Sequence, residues 1–534
     1  MSKKAERNEE RLSLDKLKNS EDFKELSNIF INARQNKRKF VAYLGPTNSG
    51  KTHNAMEALK NASNGTYLAP LRLMALENYE RLKDAGVSAG LRTGEEVKDL
   101  DGSTHTCQTI ETADFNKCYE VAVIDEIQLL TDVKRGGFWL NAFFGIAADT
   151  VYLCGAAFVE PLLRELVAIT GEELTVHKTE RKSPLTFSEK PESSIRLPEA
   201  GTAFVAFSRR SVLAWKEAME EAGVNVSVIY GALSPEVRRE QSRRFREGET
   251  KYLIATDAIG MGLNLPIKKI IFTEAQKYDG EDFRHLGVQE VKQIGGRAGR
   301  YGFSDEAGIV SSYSQQDLNF LGKRFYEPDP TVSLSDVHVR PTFMHVKRIC
   351  EEFGDYGIEK ALIRFQKMGH DTFSVAISDD ELLIARKLDH IFGTDYESLQ
   401  DRWLLSIAPV DTKDDWSMDY FLSIATQYKK SRENQKSIKT GITAADGSSL
   451  EKAESVRKSL TLYLWLALKD GRTFDNEKQA KELARHYDEK IDNLLSKNSK
   501  KEKKVQFRVF LCKKCKTALQ PGSKFDTCRD CAFG

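Results

Sequence analysis

Short apolar runs alternate with longer stretches of helix-forming composition along the first three hundred residues of the chain. Lys39-Phe40-Val41-Ala42-Tyr43-Leu44 is rich in apolar and β-favouring residues and reads as a buried strand. Strand candidates recur at 66–72, 104–109, 121–124 and 150–157. After about residue 185 the alternation starts again, with strands at 201–207, 226–230, 251–255 and 269–273 and helical stretches at 211–222 and 235–247 between them. Strand-helix alternation of this kind predicts a doubly wound parallel sheet, here built twice, so the class is α/β. Residues 326–500 carry helical periodicity with a polar break at 440–449, and residues 1–37 read as a short helical lead-in. The charged run 429–439 reads as a solvated helix face or loop.

Chemistry enters where the first strand ends. Gly45-Pro46-Thr47-Asn48-Ser49-Gly50-Lys51-Thr52 follows at once and leads into a helical stretch, the strand-loop-helix context of a phosphate-binding loop. Glycines there let backbone N–H groups wrap phosphates, and the helix N-terminus favours negative charge. Lys51 is positioned to reach the β/γ-phosphates and the Thr52 hydroxyl to ligate Mg²⁺. A chance Gly-rich turn is the bland alternative. A second apolar strand ends in Asp125-Glu126-Ile127-Gln128. At the C-terminal end of a parallel strand, Asp125 would hold Mg²⁺ and Glu126 would polarise an attacking water. An adjacent Asp-Glu pair is common, so this signal gains its strength from the loop upstream.

The second half lacks a phosphate-binding loop. It carries Thr256-Asp257-Ala258-Ile259-Gly260-Met261-Gly262 and then Gln293-Ile294-Gly295-Gly296-Arg297-Ala298-Gly299-Arg300. Arg297 and Arg300 are three apart and share a face if helical. Facing a nucleotide, they would neutralise charge on the γ-phosphate, an effect worth roughly 10³–10⁵ in rate. A solvated basic helix start is the plain alternative.

Together these motifs resemble superfamily-two DExH helicases, and specifically the RNA helicase family of the mitochondrial degradosome with its bacterial relatives. The stretches that carry the resemblance are GPTNSGKT, APLRLMALE (69–77), TGEE (93–96), VIDEIQLL (123–130), TDAIGMGLNLP (256–266) and QIGGRAGRYG (293–302). The resemblance implies two tandem RecA-like domains, an α-helical C-terminal domain, and an ATP-dependent 3′→5′ motor on single-stranded RNA that unwinds short duplexes. It implies that Lys51, Thr52, Asp125, Glu126, Gln293, Arg297 and Arg300 carry hydrolysis and that Gly260 and Gly262 lie close to the nucleotide. It further implies that Arg72, Thr93 and Thr109 touch the nucleic-acid backbone. The expected domains are 1–37, 38–185, 186–325, 326–500 and 505–534. Two departures stand out: Cys154-Gly155-Ala156-Ala157 replaces the usual Ser-Ala-Thr, and no upstream adenine-reading glutamine motif is visible.

Asp279-Gly280, between the last two motifs, is a two-residue hairpin signal. A hairpin here would present Tyr278 or Phe283 to the end base pair of a duplex, where opening one DNA step costs on average about 1.4 kcal/mol. An ordinary surface turn fits the same residues.

The chain has eight cysteines. Cys512-x-x-Cys515 and Cys528-x-x-Cys531, with twelve residues between the pairs, have the spacing of a four-thiolate Zn²⁺ ribbon; a redox disulfide pair is the alternative. Four thiolates would saturate the metal and leave a structural site. Cys107, Cys118, Cys154 and Cys350 read as core residues. Lysines and phenylalanines interleave around the ribbon, which suits single-stranded nucleic acid and equally a lysine-rich linker.

At 534 residues, three to four domains are expected. A net charge of +1 puts any nucleic-acid binding on local contacts, not a global field. No run reaches the ~18 apolar residues of a membrane helix. The N-terminus has no signal h-region and is too acidic for an ordinary mitochondrial transit peptide, which with the thiol metal chemistry suggests a cytoplasmic protein, bacterial or phage-like, in preference to a mitochondrial matrix one. DNA remains open in place of RNA, as does an exoribonuclease partner. A zinc-ribbon adaptor carrying residual ATPase is the third reading.

Overall fold

The computed structural model describes residues 3–20, 23, 26–192, 198–262, 264–279, 282–299 and 307–496. Two compact units divide the chain. One comprises Met1–Leu44, Thr52–His177 and Thr331–Tyr487; the other comprises Gly45–Lys51, Lys178–Pro330 and the remainder from Asp488.

The first unit is built on an eight-stranded sheet. Its strands are β1 (Lys39–Leu44), β2 (Gly65–Ala69), β3 (Ala89–Arg92), β4 (Val97–Lys98), β5 (His105–Thr109), β6 (Cys118–Ile124), β7 (Ala147–Gly155) and β8 (Glu173–Lys178). The order is β4-β3-β5-β2-β6-β7-β1-β8. From β3 to β1 every neighbouring pair is parallel, and β4 closes one edge antiparallel to β3. Every residue of β2 and β5 is buried, as expected of central parallel strands covered on both faces. Edge strand β8 alternates partly buried and exposed residues.

Beneath this sheet Phe40 stacks on Phe143 at 4.7 Å, within a core that also holds Trp139 and Leu153. Val346, Ile349, Leu362 and Phe365 belong to the same core. They come from the helices Phe343–Phe353 and Ile358–Met368, which Thr342 and Gly357 start. The C-terminal helical region therefore shares apolar burial with the first sheet. Helices Asp379–Phe392, Leu399–Ser406, Asp415–Asn434, Leu450–Lys469 and Glu477–Ser496 follow, and the polar stretch 440–449 belongs to the non-helical connection ahead of Leu450–Lys469. At the other end of the chain the lead-in forms the helices Lys3–Lys18 and Ile31–Gln35.

The second unit has a six-stranded parallel sheet: β9 (Leu185–Phe187), β10 (Thr202–Val205), β11 (Val226–Ile229), β12 (Tyr252–Ala255), β13 (Lys269–Phe272) and β16 (Gly308–Ser312). They lie in the order β11-β12-β10-β13-β16-β9. An antiparallel hairpin, β14 (Gln276–Tyr278) and β15 (Phe283–His285), stands apart from it. The two α/β domains and the helical region expected from the pattern are present. One expectation fails: Cys118 is exposed where β6 begins, while Cys107, Cys154 and Cys350 are buried.

Candidate nucleotide and nucleic-acid site

In a parallel sheet the strands all end at one edge, and ligand-binding groups collect there. In the first unit β2, β3, β5 and β6 lead at that edge to Arg72, Thr93, Thr109 and Asp125. Asp125 is 1% exposed. Its Oδ1 accepts from the Thr52 hydroxyl at 3.2 Å and from the Glu126 amide at 2.9 Å. Its Oδ2 accepts from the Tyr67 hydroxyl at 2.8 Å, and the Trp139 indole donates to its carbonyl at 2.9 Å. Burial, reinforced by Asp125, pushes the Tyr67 phenol well up, so it stays a donor. Thr52 stands in the first turn of the helix Lys51–Asn61. A hydroxyl and a carboxylate held together are hard oxygen donors and fit Mg²⁺.

Glu126 has left-handed backbone, φ 51° and ψ 48°. A non-glycine residue there costs on the order of 1–3 kcal/mol, and such strain concentrates at functional positions. Gln128 donates to the Glu126 carboxylate, and its Oε1 accepts from the Ala156 amide at 3.1 Å. The segment Cys154-Gly155-Ala156-Ala157 thus meets the acidic motif through a backbone amide. A Cβ on Gly155 would lie 2.7 Å from Gln128 Oε1, so the approach needs glycine.

The three candidate nucleic-acid residues are less open. Arg72 Nη1 is 2.5 Å from Glu95 Oε1, and Arg457, from the helix Leu450–Lys469, lies 3.3 Å from Glu95 Oε2. Burial alone would raise the Glu95 pKa; Arg72 and Arg457 outweigh it and hold the carboxyl below its usual range. The buried Thr93 hydroxyl accepts from the Glu96 amide at 3.1 Å, and that of Thr109 pairs with Thr112 at 3.4 Å. Thr93 therefore caps its own turn, while the Thr109 hydroxyl meets only a neighbouring side chain in its turn.

The second unit gathers the phosphate-binding loop and the arginine motif. Lys51 Nζ donates to the Gly45 and Pro46 carbonyls at 3.1 and 2.9 Å, a position from which it can swing to a phosphate. Asn48, at φ 64°, donates to the Ser183 hydroxyl at 2.6 Å and the Gly299 carbonyl at 3.2 Å. Arg181 extends this stitching. Its guanidinium donates to the carbonyls of Thr47 (3.1 Å), Gly296 (2.7 Å), Ala298 and Gly299 (3.4 Å). Desolvation lowers its pKa to about 10, so it remains charged at neutral pH. Ser49 accepts from the Thr179 hydroxyl at 2.8 Å. Gly296 comes so near that a Cβ on it would lie 2.0 Å from Thr47 Oγ1. Arg297 Nε donates to the Gly260 carbonyl at 3.0 Å, and Gly260 faces Gln293. Gly262 has φ 74°. Arg300 and the four cysteines Cys512, Cys515, Cys528 and Cys531 lie outside the described residues. Among the described residues, no group of three or more His, Cys, Asp or Glu is placed to hold a metal.

Motif reading misses Arg181, Ser183 and Tyr67. No local spacing marks them; their partners come together only through the fold. At the hairpin tip Tyr278 and Phe283 are 52% and 54% exposed with ring centroids 5.5 Å apart.

The chain matches the DEXQ-box helicase domain of Suv3 over residues 27–179, the helicase conserved C-terminal domain over 190–302 and the Suv3 C-terminal domain 1 over 384–428. It is 37% identical over 459 residues to the mitochondrial DExH-box ATP-dependent RNA helicase DExH16 of Arabidopsis thaliana, covering 84% of this chain and 79% of that one. With the mitochondrial ATP-dependent RNA helicase SUV3L of Oryza sativa subsp. japonica it shares 37% identity, covering 82% of this chain but 60% of the longer relative. With the mitochondrial ATP-dependent RNA helicase SUV3 of Saccharomyces cerevisiae it shares 32%, covering 85% and 64%. These relatives are mitochondrial by name, which overturns the cytoplasmic, bacterial or phage-like placement. The carboxylates behind that placement lie in the helix Lys3–Lys18, where basic residues outnumber acidic ones. With all three family models matched along its length, the chain belongs to the Suv3 family of DExH-box ATP-dependent RNA helicases.

Proposed function

We propose that this chain hydrolyses ATP to move 3′→5′ along single-stranded RNA and to open short duplexes ahead of it, in RNA turnover or remodelling. The observation that carries this reading is the stitching of the phosphate-binding loop to the arginine motif through Arg181, Asn48 and Ser183. It brings the loop that carries Lys51 beside the motif that carries Arg297, as a shared nucleotide site would need. Gly45, Pro46, Thr47, Asn48, Ser49 and Gly50 would cradle the phosphates with backbone N–H groups, and Lys51 would leave its carbonyl partners for the β/γ-phosphates. Asp125 and Thr52 would hold Mg²⁺, which supplies charge neutralisation on the phosphates when bound. Glu126, oriented by Gln128, would accept the proton of the attacking water. Gln293, Arg297 and Arg300 would steady the γ-phosphate, with Gly260 and Gly262 beside the nucleotide.

Arg72, Thr93 and Thr109 would lie along the RNA backbone, and the Tyr278–Phe283 tip would act as the strand separator. DNA in place of RNA is the second reading, because RNA and DNA differ at the 2′-OH and none of these side chains reports on that contact. Residues 38–185 and 186–325 would act as the two motor domains. An exoribonuclease would be a natural partner for a motor that feeds it single strands. The CxxC pairs at Cys512/Cys515 and Cys528/Cys531 would bind structural Zn²⁺, on spacing alone.

The test is multiple-turnover ATPase with matched RNA and DNA strands, followed by unwinding of 3′- and 5′-tailed duplexes, with zinc content measured on the same preparation. Stronger stimulation by RNA and opening of 3′-tailed duplexes are expected. Lys51→Ala should abolish both activities; an adaptor with residual ATPase would keep its RNA binding and show no unwinding to lose. Full zinc retention by Cys528→Ser would remove the ribbon.

A further inference from the structure

The hairpin stem is wired to the elements that hold the nucleotide motifs. Lys277, in β14, has its Nζ 3.1 Å from Asp257 Oδ2 and 2.5 Å from Glu290 Oε1. Asp257 opens the 3₁₀ turn Asp257–Gly260, and Glu290 sits in the first turn of the helix Val288–Gly295. One lysine thus ties this turn to this helix. At their other end the same two elements meet again where Gln293 packs against Gly260, and Arg297, just past the helix, donates to the Gly260 carbonyl. A shift of the turn against the helix at Gly260 therefore has to be answered at Lys277.

Glu290 also holds the second hairpin strand. Arg284, in β15, donates to both of its oxygens at 2.8 and 2.9 Å, and the Gly287 amide donates at 2.8 Å. Lys277 and Arg284 are cross-strand partners, so a single carboxylate grips both strands at one level of the stem. The next pair outward is Tyr278 and Phe283, the exposed tip. The Glu290 and Lys277 side chains are 25% and 18% exposed, which separates this pair from ordinary surface ion pairs, while Asp257 and Arg284 stand at its wetter rim with 47% and 41% exposed. Burial opposes the charge on Glu290, yet Arg284 and Lys277 bring its pKa down to about 2.

We propose that Lys277 and Glu290 form a coupling clamp, positioning residues that pass the nucleotide-dependent arrangement of the Asp257–Gly260 turn and the Val288–Gly295 helix to the Tyr278–Phe283 tip. The clamp rests on the helicase reading in which that tip separates strands. It assigns to a pair of stem residues the ratio of duplexes opened to ATP consumed, distinct from the rate of hydrolysis.

Three variants of the full chain test it: Lys277→Met, Lys277→Arg, and a replacement of residues 277–285 by a short Gly/Ser link. Each is measured for RNA-stimulated ATPase and for 3′-tailed duplexes opened per ATP. Lys277→Met should keep kcat and KM for ATP within about twofold while duplexes per ATP fall roughly five- to tenfold, the scale of coupling losses along such networks. Lys277→Arg should recover most of the loss, because it still offers a cation to both carboxylates. If the link replacement opens duplexes normally, the strand-separator reading fails, and the clamp with it. If the link replacement is defective but Lys277→Met opens duplexes as the parent does, the clamp alone is overturned. A proportional loss of ATPase and unwinding in Lys277→Met, without rescue by arginine, also overturns it, since the lysine would then only support the fold.

Discussion

Arg181 is the residue whose role changes most between sequence and structure. In the sequence it is one basic residue in Lys178-Thr179-Glu180-Arg181-Lys182-Ser183, with no motif around it. In the structure its planar fork gathers the carbonyl of Thr47 and, from the arginine motif, those of Gly296, Ala298 and Gly299, all more than a hundred residues from it in the chain. GPTNSGKT and DEIQ are legible because each is a local device: a strand end, a turn and a helix start within a few residues. Arg181 acts only once folding has brought separate segments to it. Arg181→Met removes a donor to several carbonyls at once, and lysine cannot replace it, because a single ammonium does not span that fan. Both variants should lower kcat/KM for ATP by about tenfold, corresponding to roughly 1–3 kcal/mol for leaving buried acceptors without a donor. Steady-state ATPase at saturating RNA measures this, and parental kinetics in Arg181→Lys would show that charge alone suffices.

Among the elements, the long central strands were readable and the short peripheral ones were not. β6 ends in the apolar run Val121–Ile124 and β2 carries Thr-Tyr-Leu-Ala, while β3 (Ala-Gly-Leu-Arg) and β16 (Gly-Ile-Val-Ser-Ser) are rich in small residues that favour no one state. β8 is a half-exposed edge, and β9 is three residues long. Equally hidden was the docking of the helix Leu450–Lys469 onto the Thr93–Glu96 turn, where Arg457 joins Arg72 on Glu95 and Trp465 faces Gly94. Removing the carboxylate leaves two guanidinium groups close together and inside. Glu95→Ala should therefore cost about 3–5 kcal/mol in urea unfolding, the usual loss when one member of a buried ion network is deleted. Because the folded pKa of Glu95 lies below its unfolded value, the stabilisation is present above the ordinary carboxylate pKa and fades as pH falls through the folded one. The difference between parent and Glu95→Ala should accordingly shrink on acidification below about pH 4. A pH-independent difference would mean that packing, not charge, docks the helix.

For the whole molecule, balance of charge and division into units set how ligands act. With 80 basic and 79 acidic side chains, no net field draws RNA in, so affinity has to come from positioned groups and to depend on the state of the motor. The chain leaves one compact unit at Leu44, contributes Gly45–Lys51 to the other and returns at Thr52. The loop that would hold phosphates is thus a segment of the second unit inserted in the sequence of the first. A ligand that binds this loop only when folded stabilises the folded state by mass action, by about 2.7 kcal/mol at one hundred times its Kd. Mg²⁺ with a non-hydrolysable ATP analogue at that excess should therefore raise the melting temperature by roughly 5–10 °C, at 2–4 °C per kcal/mol for units of about 150–250 residues. Lys51→Ala should cancel the shift, measured against the melting temperature of its own nucleotide-free form, because it removes the cation that would meet the phosphates. If the analogue moved the melting of Lys51→Ala as far as that of the parent, the stabilising site would lie elsewhere, and the phosphate-binding loop would not be where this motor takes its fuel.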